Sequence, residues 1–257
     1  MNLEERENEL FDRWTNDTAD GKVFAKDGVA NENLFSRAKY KILFLAKETN
    51  NTDKKWDSRR YLREGVFYEA TQYKKDKFNK KGKKIKEHIG GNPITKTFNN
   101  IYRWSNFFLN DIDNYNEYKK VPNHKINKEL ELGSPRIKMF SQIGMMNLKK
   151  TAGKHTTKND EFEEYIEKNI GYINEQVNLY KPNIIICCGK GVYNGYKKAI
   201  GEVLYEKKFK QFRTSIFKGT DYETIVIEFC HPQVRGKEAK LQNHFGLLKI
   251  IKDAYSL

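Results

Sequence analysis

Four short apolar runs constrain this chain more than any other feature: residues 40–46, 142–148, 183–188 and 222–229, each fenced by polar or turn-forming residues. Runs of that length suit buried strands. The stretches between them carry helical periodicity, and strands joined through helices pair mostly in parallel, with helices on both faces. The expected fold class is therefore α/β, with a central, mostly parallel four-stranded sheet. Leu3, Leu10, Phe11 and Trp14 mark an N-terminal amphipathic helix, and Pro93 precedes a buried helix over 95–110. Phe162, Ile166, Ile170, Ile173, Val177 and Tyr180 predict one helix over 160–180, closed by Pro182. Gly189 and Gly191 open another helix through Ile200, segments 214–217 and 222–229 read as a hairpin, and a final helix covers roughly 237–255.

The 257 residues read as a single domain, 1–257, with a basic and aromatic insertion at about 52–110. Only 38% of residues are hydrophobic, but 16 Phe, 15 Tyr and 3 Trp restore buriable area, which excludes a disordered chain. No apolar run is long enough to span a bilayer, and the charged start, Met1-Asn2-Leu3-Glu4-Glu5-Arg6, lacks the core of a signal peptide. Three Cys, two of them adjacent, make no disulfide framework and suit a reducing cytoplasm. The formal charge of +14 points to a polyanionic partner, most simply nucleic acid. An AT-rich coding sequence also produces a Lys excess of 38 to 10 over Arg. Residues 74–86 concentrate eight Lys against one acid, and Lys80, Lys81, Lys83 and Lys84 in that block are candidates to grip phosphates.

Polar residues gather where the predicted strands end, the edge at which open α/β sheets place their chemistry. Glu48 lies two residues beyond the first run and reads as a functional acid, a solvated loop acid or a cap. Asn147 projects from the end of the second, with an Asx turn as the plainer reading. His231 follows the last strand and precedes Pro232, where it acts in chemistry or merely caps the strand. Together they supply an anion, a two-sided hydrogen-bonding group for a nucleobase edge and a donor to a developing oxyanion. Gly189-Lys190-Gly191 before a helix is a further place for a backbone phosphate, but it lacks P-loop spacing. Cys187, Cys188, Cys230 and His231 have no metal-ligand spacing, so no metal is expected.

The run Ile42-Leu43-Phe44-Leu45-Ala46-Lys47-Glu48-Thr49-Asn50 resembles the first motif of the uracil-DNA glycosylase superfamily, in which a strand delivers a catalytic acid. Met145-Met146-Asn147-Leu148 resembles the strand whose Asn reads the pyrimidine, and His231-Pro232-Gln233-Val234-Arg235 resembles the loop that closes that site. The resemblance covers residues 40–235 and implies a three-layer αβα fold and hydrolysis of an N-glycosidic bond in double-stranded DNA. Glu48 takes the place of the catalytic acid, Asn147 that of the base reader and His231 that of the residue stabilising the departing base. Val234 and Arg235 take the place of the wedge that fills the vacated stack. Lys149, Lys150 and Lys190 are further candidates for DNA contact. Where uracil-specific members carry Pro and a bulky aromatic after the acid, this chain has Thr49 and Asn50. Small polar residues there admit a 5-substituent, so the resemblance implies a 5-modified pyrimidine, with glucosylated 5-hydroxymethylcytosine of phage DNA as the favoured substrate. The expected protein is a monofunctional, monomeric enzyme without cofactor. The alternatives are uracil repair and a DNA-binding module without catalysis. Trp56, Arg59, Arg60, Tyr61, Arg63, Phe67 and Tyr68 either line the enlarged pocket or belong to the core.

Overall fold

A computed structural model describes residues 1–18, 23–49, 57–64, 93–121, 135–151, 158–200, 203–209, 212–218, 221–234 and 238–257. Its strands are β1 (Gly28–Val29), β2 (Ile42–Glu48), β3 (Ile143–Lys149), β4 (Ile184–Cys188), β5 (Val203–Phe209), β6 (Phe212–Lys218) and β7 (Glu223–Phe229). They form one mixed sheet in the order β1-β3-β2-β4-β7-β6-β5. The four apolar runs are its centre: β2 pairs in parallel with β3 and β4, and β4 with β7. Among the described residues the sheet is nonetheless seven-stranded, not four-stranded. β1 adds antiparallel to β3, while β6 and β5 extend the sheet antiparallel beyond β7.

Strand alternation divides the core in two. Leu43, Leu45, Met146, Leu148, Ile185, Cys187 and Val226 face one side, packed by α1 (Leu3–Thr18), α7 (Asn159–Lys168), α8 (Ile170–Tyr180) and α9 (Lys190–Ala199). Ile42, Phe44, Ile143, Ile184, Ile186, Cys188, Ile227 and Phe229 face the other. There α4 (Pro93–Leu109), α5 (Tyr115–Tyr118), α6 (Pro135–Phe140) and α10 (Glu238–Ala254) cover them. Adjacent Cys187 and Cys188 thus lie in opposite cores. Trp104 pins α4 to the sheet: its ring stacks on Phe44 at 6.3 Å and meets Phe229 edge-on at 4.8 Å. Burying such a side chain contributes on the order of 3 kcal/mol.

The predicted continuous helix over 160–180 is two helices. Asn169 leaves helical geometry (φ −119°, ψ 14°). Its Oδ1 accepts from Trp14 Nε1 at 2.7 Å and its Nδ2 donates to the Tyr165 carbonyl at 2.7 Å, which compensates the broken ladder and ties the break to α1. Of the insertion expected at 52–110, residues 57–64 and 93–110 are described. Ser58–Glu64 forms α3, after α2 (Glu32–Arg37) in the chain, and Pro93–Leu109 is α4, a core helix. Trp56, Phe67, Tyr68 and the lysine block at 74–86 lie outside the described residues, as do the side chains of Arg60 and Tyr61. Among the described residues no helix is long and apolar enough to cross a membrane.

Candidate active site

The carboxyl ends of β3, β2, β4 and β7 line one edge of the sheet in that order. β2 runs through Glu48 and β3 through Lys149, so Glu48 and Asn147 are strand residues and not members of the loops beyond. In register, Ala46 pairs with Asn147 and Glu48 with Lys149. By two-residue alternation Glu48 and Asn147 stand on the same face of the sheet as Phe44 and Met145, the face covered by α4. The acid and the amide are thus two residues apart in register on neighbouring strands. His231 is not on a neighbouring strand: β4 intervenes between β2 and β7, and strand spacing puts the two ends about 10 Å apart.

Glu48 is held by a cation. Lys149 Nζ lies 3.1 Å from Glu48 Oε2 and 3.0 Å from Glu161 Oε1, and the Lys149 side chain is only 5% exposed. This corrects the expectation that Lys149 contacts DNA, because its ammonium is already shared between two carboxylates. The same correction holds more strongly for Lys150. It is fully buried, ion-paired with fully buried Asp27, and its ammonium lies 5.2 Å from the Trp14 ring and 5.6 Å from that of Phe11. Burial pushes its pKa below the usual lysine value, against the pull of Asp27. Lys190, at the start of α9 beyond β4, is exposed as a phosphate contact requires.

Asp27 is a residue that sequence reasoning missed. Its Oδ2 accepts from the Asn147 backbone N–H at 2.7 Å and from Asn147 Nδ2 at 3.1 Å. Its Oδ1 accepts from Gln176 Nε2 at 3.0 Å and from Lys150. A second buried cluster continues the network: Gln176 donates to Tyr180, Tyr180 donates to Glu7 Oε1 at 2.6 Å, and Arg59 reaches Glu7 at 2.7 Å and Asp57 at 2.6 Å. Arg59 therefore grips neither DNA nor a pocketed base. Gly28 occupies the crowded junction; a Cβ there would sit 2.2 Å from Glu7 Oε1, and its φ of +138° already favours glycine.

The loop after β7 is braced from the opposite layer. Buried Asn100 of α4 donates through Nδ2 to the carbonyls of Pro232 at 2.7 Å and Val234 at 3.2 Å, while its Oδ1 accepts from Arg103 at 3.0 Å. The Val234 N–H donates to the His231 carbonyl at 3.0 Å, closing a turn. His231 Nδ1 accepts from the Gln233 N–H at 3.2 Å. That bond leaves the proton of a neutral imidazole on Nε2. Partial desolvation lowers the His231 pKa, which favours this neutral form. Cys230 Sγ lies 3.4 Å from His244 Nε2, and burial raises the thiol pKa to about 12, which favours the protonated thiol. Thr49 directly follows β2 and is half-buried, whereas Asn50, Arg235, Lys80, Lys81, Lys83 and Lys84 lie outside the described residues. A cavity of about 410 Å³ opens on the α1 and α7 side of the β3 end, lined by Asp17, Lys149, Thr151, Glu161 and Tyr165 among others. It meets the candidate site only through Lys149.

A carboxylate, a carboxamide on the neighbouring strand and an imidazole two strands away thus lie at the carboxyl ends of the parallel strands β2, β3 and β7. In comparisons with known proteins, no family model matches the chain and no curated protein matches it.

Proposed function

We propose that this protein is a monofunctional DNA glycosylase that extrudes a 5-modified pyrimidine from double-stranded DNA and hydrolyses its N-glycosidic bond, leaving an abasic site. The observation that carries this reading is the placement of Glu48 and Asn147 two residues apart in register on neighbouring strand ends, with the His231 turn pinned on the same edge. Cleavage builds positive charge on the deoxyribose and negative charge on the leaving base. Glu48 stabilises the sugar cation and orients water, Asn147 hydrogen-bonds the base edge, and His231 Nε2–H donates to the base oxygen. Lys149 holds the Glu48 carboxylate through its ion pair. Thr49 and Asn50, small polar residues in place of Pro and a bulky aromatic, support a base that carries a 5-substituent. The substrate proposed is glucosylated 5-hydroxymethylcytosine of phage DNA, and the role proposed is anti-phage defence.

One observation favours a second reading, a DNA-binding module without catalysis: the Lys149 ammonium neutralises part of the charge that Glu48 must present. A single assay separates the two. Duplexes carrying uracil, unmodified cytosine, 5-hydroxymethylcytosine or its glucosylated form are incubated with the protein and probed for abasic sites. The glycosylase reading expects abasic sites in modified DNA and a loss of roughly two to four orders of magnitude in single-turnover rate for Glu48→Gln, with DNA affinity retained. A variant that cleaves at the normal rate removes Glu48 from the mechanism, and a wild type that binds all four duplexes and cleaves none supports the inert module.

A further inference from the structure

A primary amide presents a donor and an acceptor side by side, and turning it by 180° exchanges them. Cytosine offers a flipped-base reader a donor at N4 and an acceptor at N3; uracil offers an acceptor at O4 and a donor at N3. The two edges therefore need opposite orientations of the same Asn side chain, and an unconstrained Asn serves both. Asn147 is constrained. Its Nδ2 donates to Asp27 Oδ2, and turning the amide over would set its Oδ1 against that carboxylate oxygen in place of a hydrogen bond. Asp27 itself cannot turn away: it is fully buried, receives the Asn147 backbone N–H through the same oxygen, and is held through the other by Gln176 and Lys150.

We propose that Asp27 is a specificity-determining positioning residue, fixing the order in which the Asn147 amide presents acceptor and donor and so deciding between cytosine-type and uracil-type bases. The inference rests on the glycosylase reading and deepens it. Glu48 makes the site able to cleave; Asp27 makes it able to choose.

The test compares excision of a cytosine and a uracil carrying the same 5-substituent, taking the substituent that the duplex panel shows to be removed. The wild type is expected to prefer one of the pair by at least about a hundredfold in kcat/KM. In Asp27→Asn the replacement amide can itself donate or accept, so Asn147 is released and the preference should fall at least tenfold, with affinity for abasic DNA unchanged. The double variant Asp27→Asn/Lys150→Met removes the buried cation left without its partner and should show the same fall if the single variant folds poorly. Equal losses on both bases, with the preference intact, overturn the inference and leave the glycosylase reading standing; so does a wild type with no preference. A wild type that excises neither base fails the underlying reading instead. One measurement needs no variant: the Asn147 side-chain amide should show one Nδ2 proton protected from solvent exchange, and two fast-exchanging protons overturn the assignment.

Discussion

Lys149 and Lys150 are consecutive, equally basic in sequence, and do unrelated things. Lys149 ends β3 and bridges Glu48 to Glu161; Lys150 turns inward and faces Asp27 beneath two aromatic rings. A lysine is expensive to bury, and these two are tolerated because each ammonium is paired with a carboxylate. Histidine shows the same economy with a different sign. His231 and His244 both have pKa values lowered, His231 by desolvation and His244 by desolvation with Lys240 and Arg103 adding to it. A group whose folded pKa lies below its unfolded one takes up its proton first in the unfolded chain. Stability contributed by the neutral form is therefore complete above about pH 6.5 and declines as pH falls through that value. Thermal melts between pH 7.5 and 5 should show Tm falling, and His244→Gln, which keeps a polar atom near Cys230 but cannot titrate, should lessen the fall. An identical pH slope in that variant would assign the effect elsewhere.

At the scale of elements, α4 does more than fill the core, because Asn100 grips the loop that carries His231. Asn100→Ala leaves two carbonyls without their donor and should cost about 1–3 kcal/mol in chemical unfolding. Asn100→Asp has the same shape but only acceptors, so it should be the worse of the two and should lower excision kcat more than it raises KM. If Asp proves as good as Asn, the side chain does not donate to the loop. The central strands were legible because a buried parallel strand writes itself as a local apolar run: 42–46 and 184–188 are unmistakable. β5 was not legible. Its residues Leu204, Tyr205, Glu206, Lys207 and Lys208 are all exposed, and it is a strand only because β6 offers an edge to pair with. β1 is two residues long and exists through its register with Gly144 and Met145. The site divides in the same way. Glu48 and His231 were visible as polar residues after apolar runs, while Asp27 acquires its meaning only when β1 lies beside a strand 120 residues downstream.

Over the whole molecule, the sequence carries an excess of fourteen positive charges. With Lys149 and Lys150 committed inside, the sequence block at 74–86 is the strongest remaining candidate for phosphate contact. Replacing four of its lysines with Gln should flatten the slope of log affinity against log salt by about 3 to 4 units, whatever the DNA sequence. An unchanged slope would assign that block to solvent. The sheet order carries a consequence of another kind, for the making of the protein. β2 sits between β3 and β4, so Ile42 must wait for Ile143 on one side and Ile184 on the other. Translation at roughly 5–20 residues per second separates β2 from β4 by on the order of ten seconds. For that interval the most apolar strand of the nascent chain has emerged from the ribosome with one or both of its edges unclaimed. α1 and α4 are translated early enough to cover its two faces, but only β3 and β4 can satisfy its edges.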